Sequence, residues 1–462
     1  MKIDKTKIIK ISVFSAIALV LGVLLIVSIS LVYKNLGTND ANLIMNGPLI
    51  FLIILLILLP VLLIMLILNI VLGKKDVNQN ISSDKKTDEN NRYVDAKLKK
   101  KTSTSRFYQL TQQDKKMENY KAPEYNTKIE LDEICERFRR FACSKLNLYY
   151  DISDIRRFIA GLSVTHIMIL QGMSCTGKTS LAYAFGEFLQ NPTVVVPIQP
   201  MWKERTDLIG YYNEFTKKFN ETTLLQKLYE ANCNDEIYIT VLDEMNIARV
   251  EYYFAEFLSL LELPNPDGRY LDVVSDKWDN DPKLLKDGQL KLPKNMWFIG
   301  TANNDDSTFA ISDKVYDRAM VINLDTKANA FDCDPTEGIK ISATYLVKKM
   351  NDATKEYRIT RRNLRRIKKL DDYMIENFHI TFGNRIMKQI KAYVPAYVAC
   401  GGKELEAIDD ILARKVIRKL ESMNPVYIRN QAEGLIQYME EVFGEGKMPL
   451  CKEYIERIER NG

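Results

Sequence analysis

The chain has 462 residues, enough for two or three domains, and its formal net charge is only +5. This charge is unevenly spread: residues 1–72 carry a surplus of +3 and residues 73–128 a surplus of +6, so the remaining chain has a net charge of −4, which argues against a general nucleic-acid clamp. Seven scattered cysteines without a C-x-x-C pair indicate neither a disulfide framework nor a zinc site, and they favour a reducing cytosolic environment.

Two apolar segments near the amino terminus predict a transmembrane helical hairpin. Residues 11–32 and 49–72 contain no charged residue, and each segment is long enough to cross the hydrocarbon core of a bilayer as a helix. A cleaved signal peptide has a shorter apolar run and no second span close behind it. Lysines precede the first span and follow the second, so the positive-inside rule places both termini in the cytoplasm and the hairpin in the cell (inner) membrane.

Residues 74–128 are predicted to form a flexible linker, because they are rich in Lys, Asn, Asp, Ser and Thr and poor in apolar residues. The basic run at 97–101 is most simply a solvated charge run, and contact with anionic lipid or nucleic acid is the alternative. Residues 129–160 carry spaced apolar positions that indicate helices leading into the next domain.

Residues 172–179 match the phosphate-binding pattern G-x-x-x-x-G-K-[ST] at every fixed position. In this pattern the glycines let backbone N–H groups surround the phosphates, the lysine reaches the β- and γ-phosphates, and the final hydroxyl ligates Mg²⁺. The apolar run before it predicts a buried parallel strand, and residues 180–189 predict a helix. The predicted nucleotide-binding residues are Gly172, Met173, Ser174, Cys175, Thr176, Gly177, Lys178, Thr179 and Ser180, of which Thr179 is also a predicted metal ligand.

Two further apolar stretches end in polar residues. Residues 236–244 end in Asp243 and Glu244, which would face the ligand at the carboxyl edge of a parallel sheet. We expect Asp243 to hold Mg²⁺ and Glu244 to act as the general base that polarises the attacking water. Residues 296–304 include Asn303, whose amide can contact the γ-phosphate or orient the water without adding charge.

Arg318 lies just before another apolar strand, where an arginine can be offered to the nucleotide of a neighbouring subunit. A cation supplied in this way stabilises the charge that develops in phosphoryl transfer. Taken alone, such an arginine is more often a surface ion-pair partner. The two histidines, His166 and His379, are interpreted as structural residues rather than as metal ligands or members of a catalytic triad.

In this order, the elements resemble those of an AAA+ ATPase of the MoxR/McrB-like branch. Residues 205–211 are similar to the D-L-x-G stretch before the helix-2 insertion of that family, and residues 242–249 resemble its L-D-E-x-N-x-A motif. Residues 257–262 resemble its L-L-x-x-L-E helix end, and residues 299–303 its sensor 1, G-T-x-N. At the arginine finger the chain departs from the McrB pattern, because Asp-Arg-Ala-Met at 317–320 stands where that pattern has R-R-R-F.

The resemblance implies the rest of the architecture. Residues 264–293 would be a presensor hairpin, and Arg385, at the start of a lid helix, would be sensor 2, which reaches the γ-phosphate. The predicted fold class is α/β: a P-loop AAA+ domain at residues 161–325, with a parallel sheet and flanking helices, followed by an all-α lid at residues 326–462. The family also implies a ring, a hexamer by resemblance, that binds ATP or GTP with Mg²⁺.

The leading hypothesis is a membrane-anchored NTPase that uses hydrolysis, with ATP favoured, to remodel or mature an unidentified partner protein as MoxR-like chaperones do. The alternative is a McrB-like GTP- or ATP-dependent motor subunit of a nucleic-acid restriction or defence system. A nucleotide-gated scaffold with little turnover is a third interpretation, which Glu244 argues against because a binding-only protein does not need it. No motif distinguishes adenine from guanine or names the protein substrate.

Overall fold

The computed structural model describes residues 105–303, 308–325 and 328–461. The predicted transmembrane hairpin, at residues 11–32 and 49–72, and most of the predicted linker lie outside these residues. Within the described ranges, no helix is both long enough and apolar enough to cross a membrane.

The described chain contains strands that we number in chain order. They are β1 (Ile167–Gly172), β2 (Val194–Pro197), β3 (Gly210–Asn213), β4 (Lys218–Glu221), β5 (Tyr238–Asp243), β6 (Tyr270–Asp272), β7 (Leu285–Lys286), β8 (Gln289–Lys291), β9 (Met296–Asn303) and β10 (Met320–Asn323). The main sheet has five strands in the order β10-β1-β9-β5-β2. All of its neighbouring strands are parallel, so their carboxyl ends meet at one edge.

The α-helices are likewise numbered in chain order. They are α1 (Gln109–Met117), α2 (Leu131–Leu146), α3 (Ile152–Gly161), α4 (Lys178–Phe188), α5 (Arg205–Ile209), α6 (Thr223–Ala231), α7 (Val250–Tyr253), α8 (Ala255–Glu262), α9 (Asp313–Tyr316), α10 (Ala343–Glu356), α11 (Arg361–Phe378), α12 (Gly383–Ala399), α13 (Glu404–Lys415), α14 (Pro425–Phe443) and α15 (Pro449–Asn461). Short 3₁₀ turns occur at Met245–Ile247, Pro266–Gly268 and Ile417–Ser422.

The sheet is covered on both faces, as its strand sequences require. β1 and β9 are almost entirely buried, because a parallel sheet packs helices on each side. Apolar residues of α2, α3, α4 and α10 form the core on one face, and those of α1, α6 and α8 contribute to the core on the other. The predicted α/β fold with a parallel sheet, flanking helices and a helical carboxyl-terminal region is therefore confirmed.

Two small antiparallel sheets are inserted into this layered architecture. β3 and β4 form a hairpin directly after helix α5, at the place of the predicted helix-2 insertion. β6, β8 and β7 form a three-stranded sheet within residues 264–293, the stretch expected to be a presensor hairpin.

Part of the predicted linker differs from the expectation, because the chain is already folded onto the domain at residue 106. Phe107 and Leu110 are fully buried, and the Phe107 ring stacks on Phe219 with 4.8 Å between ring centroids. The buried Arg106 guanidinium pairs with Asp276 at 2.9 Å and with Asp281 at 2.8 Å. The few apolar residues of this polar segment are the ones that anchor it, so average composition did not predict their burial.

The carboxyl-terminal helices α11–α15 form a lid with a core of its own. Ile367, Leu370 and Met374 recur on one face of α11 and are fully buried against the other lid helices. Thr360 caps the start of α11 by accepting a hydrogen bond from the Asn363 N–H, and His379 ends that helix in the left-handed conformation.

Candidate nucleotide-binding site

The phosphate-binding motif lies in the loop between β1 and α4. Gly172, the last residue of β1, has a φ of 146°, and a Cβ there would lie 2.5 Å from the Leu324 carbonyl oxygen. Gly177, with a φ of 86°, immediately precedes α4. Glycine is required at both positions because side chains rarely tolerate these conformations. The loop between them therefore opens onto the amino terminus of α4, whose unpaired N–H groups favour an anion.

Lys178 folds back over this loop. Its Nζ donates hydrogen bonds to the carbonyl oxygens of Gly172 at 3.1 Å and Met173 at 2.6 Å. The side chain is largely buried, so its charge is held at the loop rather than in bulk solvent. Phosphate oxygens of a bound nucleotide can replace these carbonyls as acceptors, as the motif predicts.

Asp243 joins the loop to the next strands of the sheet. The Thr179 hydroxyl donates to Asp243 Oδ1 at 2.8 Å, and the Thr301 hydroxyl donates to the same oxygen at 2.9 Å. β5 and β9 are neighbours in register, with Leu242 opposite Gly300, and this register brings Asp243 next to Thr301. The two predicted metal-site residues, Thr179 and Asp243, are therefore in direct contact.

The oxygen ligands at this position suit Mg²⁺, a hard cation that binds through one or two protein oxygens and the phosphates of the substrate. Thr179 and Asp243 would hold the ion. Among the described residues, no group of three or more His, Cys, Asp or Glu side chains is arranged to hold a metal, so a site here would need the oxygens of the nucleotide to complete it.

Glu244 has a backbone conformation that separates its side chain from that of Asp243. Its φ of 51° is left-handed, and its N–H donates to the Thr301 hydroxyl at 2.9 Å. The Glu244 carboxylate is exposed beside the buried end of β5. An exposed carboxylate directly after Asp243, the predicted metal ligand, can polarise a water molecule.

Asn303 lies next to the phosphate loop, because β1 and β9 pair with Gly172 opposite Asn303. Its carbonyl oxygen accepts a hydrogen bond from the Asn246 amide at 3.0 Å. Asn246 is buried, and the same amide also bonds the Phe309 carbonyl at 3.3 Å. These bonds fix the end of β9 relative to the turn that follows Glu244.

The two predicted arginines lie together, away from the phosphate loop. Arg318 Nε pairs with Glu262 Oε2 at 2.6 Å, and Arg385 pairs with the other carboxylate oxygen of Glu262. Arg318 lies two residues before Met320, the first residue of β10. Met320 pairs with Met168 near the start of β1, whereas Gly172 is the last residue of β1, four residues further along that strand. At a rise of about 3.3 Å per residue, Met168 and Gly172 are separated by ~13 Å along β1, so Arg318 precedes β10 at the edge of the sheet opposite to the one that carries the loop. Arg385 is held beside Arg318 by the carboxylate that both arginines share.

A cavity of about 880 Å³ adjoins the end of β9 and the lid. Its lining includes Gln171 and Asn303 from the sheet and Arg418 and Arg457 from the lid. Tyr316 lines it as well, and its hydroxyl donates to the Gln171 side chain at 2.9 Å. Lid cations thus face the same edge of the sheet as the phosphate loop.

Residues 167–319 match the family model described as the AAA domain of the dynein-related subfamily. This part of the chain is therefore similar to an AAA domain. One similar solved structure is that of a full-length MCM homolog from Methanopyrus kandleri, with 12% sequence identity and a TM-score of 0.34. The likeness covers 63% of this chain and 61% of the other chain, so it spans about three fifths of that protein. The sequence has no significant match among curated proteins.

Three residues of the candidate site and its surroundings were not predicted from the sequence. Thr301 lies inside the sensor 1 motif, but the motif alone assigns it no role. Its role becomes visible only from the pairing of β9 with β5, which places its hydroxyl beside Asp243. Tyr150 donates to the Gly177 carbonyl at 3.1 Å and has no local motif. Glu262 ends the helix that resembles L-L-x-x-L-E, and only the tertiary structure shows that it pairs with both arginines.

Proposed function

We propose that this protein is a nucleoside triphosphatase, using ATP and Mg²⁺, that assembles into a ring and remodels or matures a partner protein as MoxR-like chaperones do. The observation that carries the catalytic part is the Asp243 carboxylate, which is bonded by both Thr179 and Thr301 and is followed by the exposed Glu244. AAA domains in general hydrolyse nucleoside triphosphates. We propose that the nucleotide hydrolysed by this protein is ATP.

Each side chain of the site would have one task. The loop N–H groups and Lys178 bind the phosphates, and Glu244 accepts a proton from the water that attacks the terminal phosphorus. Asn303 donates its amide toward the terminal phosphate or the water. Mg²⁺, when bound, supplies positive charge against the phosphate oxygens. The phosphate group then leaves the nucleotide and is transferred to water.

A ring is supported by the position of Arg318. Arg318 lies just before β10 at the edge of the sheet opposite to the one that carries the phosphate loop, a position compatible with contact to a neighbouring subunit. A cation supplied in trans requires a neighbour at every site, which closed cyclic symmetry provides. We propose a hexamer, and we propose that Arg318 is its finger.

Remodelling of a partner is supported by the β3–β4 hairpin. Phe215, in the turn of this hairpin, is 98% exposed, although a large aromatic side chain gains most when buried. The exposed aromatic ring of Phe215 is available for contact with a partner polypeptide. The predicted hairpin at residues 11–72 would keep this activity at the cytoplasmic face of the inner membrane.

One observation favours the McrB-like alternative. A cavity of about 440 Å³ in the lid is lined by Arg358, Lys388 and Lys391, and the adjacent helix α11 begins with a further basic run. A nucleic-acid backbone would bind such cations with an affinity that falls steeply with salt. Binding of DNA or RNA by residues 99–462, a compact unit, with that salt dependence would support the motor function, and its absence would leave the chaperone-like function.

The proposal is tested by mixing two inactive full-length variants, Arg318→Ala and Glu244→Gln. A mixed ring contains interfaces at which an intact Glu244 from one subunit meets an intact Arg318 from its neighbour. We expect ATP hydrolysis to recover on mixing, although each variant alone is inactive. If both variants assemble with wild-type mass and the mixture stays inactive, Arg318 is not a finger supplied in trans.

A further inference from the structure

We propose that Glu262 is a positioning residue that holds Arg318 and Arg385 together as one unit, and that both arginines act on the nucleotide of the neighbouring subunit. This inference rests on the proposed ring function and extends it, because it moves Arg385 from its own site to the neighbouring one. It also gives a role to a carboxylate that no motif assigns to the reaction.

The contacts of Glu262 carry the argument. Its two carboxylate oxygens are divided between the arginines, Oε2 with Arg318 and Oε1 with Arg385. Glu262 is the last residue of α8, so the negative end of the helix dipole adds to its attraction for both guanidinium groups. One carboxylate thereby offsets the repulsion between two neighbouring cations.

The backbones that carry the arginines are joined as well. Gln389, one turn after Arg385 on helix α12, donates its amide to the Asp317 carbonyl at 3.1 Å, next to Arg318. Lys415 Nζ, from helix α13, donates to the carbonyl oxygens of Tyr316 and Ala319, on both sides of the same residue. The lid helices therefore bind the turn that presents Arg318, so the backbones that carry the two arginines are joined directly.

The arginines remain accessible despite these contacts. The Arg318 side chain is 27% exposed and the Arg385 side chain 46% exposed, while Glu262 is about one third exposed. Each guanidinium has more N–H donors than the carboxylate occupies, and such donors suit the oxygens of a phosphate. The unit thus holds two cations in one place without burying them.

Three pairwise mixtures of full-length variants distinguish whether Arg385 acts on the nucleotide of its own subunit or on that of the neighbouring subunit. If Arg385 acts on the neighbouring site, Arg385→Ala mixed with Glu244→Gln recovers hydrolysis, because the Glu244→Gln subunit supplies both arginines. Arg385→Ala mixed with Arg318→Ala then stays inactive, because every interface lacks one arginine. If Arg385 acts on its own site, the outcomes of these two mixtures are reversed, and the inference is overturned.

The third mixture makes the test independent of the proposed function. Recovery by Arg318→Ala with Glu244→Gln shows that a finger acts in trans, whatever Arg385 does. Failure of that mixture contradicts the ring function itself. Its recovery together with recovery of Arg318→Ala with Arg385→Ala contradicts only the present inference.

Glu262→Gln tests the positioning role. We expect kcat to fall by about tenfold or more while KM and ring mass stay unchanged, because a finger arginine itself contributes ~10³-fold or more. Mixed with Glu244→Gln, this variant should recover activity; mixed with Arg318→Ala, it should not.

The matched control is Glu256→Gln, on the same helix. Glu256 pairs with Arg205 at 2.8 Å and is similarly exposed, but it contacts neither arginine of the unit. This variant should keep the wild-type rate. A faster rate in Glu262→Gln, or an equal loss in Glu256→Gln, would contradict the positioning role.

Discussion

The Thr301 hydroxyl donates a 2.9 Å hydrogen bond to Asp243 Oδ1 and at the same time accepts the N–H of Glu244. One side chain on β9 therefore orients both acidic residues at the end of β5. Since the Asp243 carboxylate and the backbone of the proposed general base Glu244 are held by the same hydroxyl, we expect its removal to affect hydrolysis more than nucleotide binding.

Thr301→Val should lower the turnover number for ATP about tenfold or more, because a hydrogen bond to a charged group contributes about 1.5–3 kcal/mol. Nucleotide affinity should change little, since Lys178 and the loop are untouched. Steady-state hydrolysis and equilibrium binding of a fluorescent nucleotide measure the two quantities separately.

Thr240→Val is the matched control for this variant. Thr240 is fully buried on β5, and within the described chain its hydroxyl has no hydrogen-bond partner. The same substitution there should leave turnover unchanged. Equal losses in the two variants would show that Thr301 acts through packing alone.

Asp410 is a buried carboxylate of lid helix α13 that connects the lid to helix α3, which precedes the main sheet. It is paired with Arg414 at 2.8 Å and with Arg157 at 3.1 Å, and the Tyr393 hydroxyl donates to it at 2.6 Å. Burial alone would raise the pKa of this carboxyl, but the two guanidinium groups and the hydroxyl outweigh burial and lower it. Asp410 is therefore ionised at neutral pH.

Asp410→Asn should lower the free energy of unfolding of residues 99–462 by about 3 kcal/mol, because it leaves a buried arginine charge unpaired. Denaturant unfolding followed by circular dichroism measures this loss. The exposed pair of Glu440 with Lys452 provides the control, and Glu440→Gln should change stability by less than about 0.5 kcal/mol. A similarly small loss of stability for Asp410→Asn would show that the ion pairs of Asp410 do not stabilise the fold.

Lys415 predicts a pH dependence of stability. Burial lowers the pKa of its ammonium group to about 7 in the folded protein, whereas an unfolded lysine titrates near 10.4. Between these values the unfolded state binds more protons, so this group makes the folded state more stable as pH rises. Below pH 7 both states carry the proton, and the contribution no longer changes.

Relative to Lys415→Met, the free energy of unfolding of the wild type should therefore rise between about pH 7 and pH 9, by at most about 1.4 kcal/mol per pH unit. The lost hydrogen bonds to Tyr316 and Ala319 add a constant difference that does not vary with pH. Denaturant unfolding of both proteins across this range is the measurement, and parallel pH profiles would contradict the shifted pKa.

The sequence predicted the phosphate loop and the strand ends at Asp243 and Asn303, because each is a local pattern of apolar residues followed by polar ones. The parallel sheet then brings such ends to one edge, a consequence of topology that holds for any strand order. The strand order itself had no local signature. For the same reason, the bond from Thr301 to Asp243 required knowledge that β5 and β9 are neighbours.

The partner of Arg385 could not be predicted from the sequence. Its position at the start of a lid helix suggested a γ-phosphate contact, but the orientation of the lid depends on packing among helices far apart in sequence. The structure instead places it on Glu262, beside Arg318. Phe107 and Leu110 show a related limit, because two buried apolar residues anchor a segment whose overall composition predicts a flexible chain.

The most direct test of the account is ATP hydrolysis by the full-length wild-type chain and by Glu244→Gln, with GTP measured in parallel and nucleotide binding measured for both. Because general-base catalysis contributes about 10²–10⁴-fold, we predict that Glu244→Gln binds ATP as tightly as the wild type and hydrolyses it at least about 100-fold more slowly. Wild-type hydrolysis by the variant, or a wild-type chain that binds no nucleotide, would contradict the account.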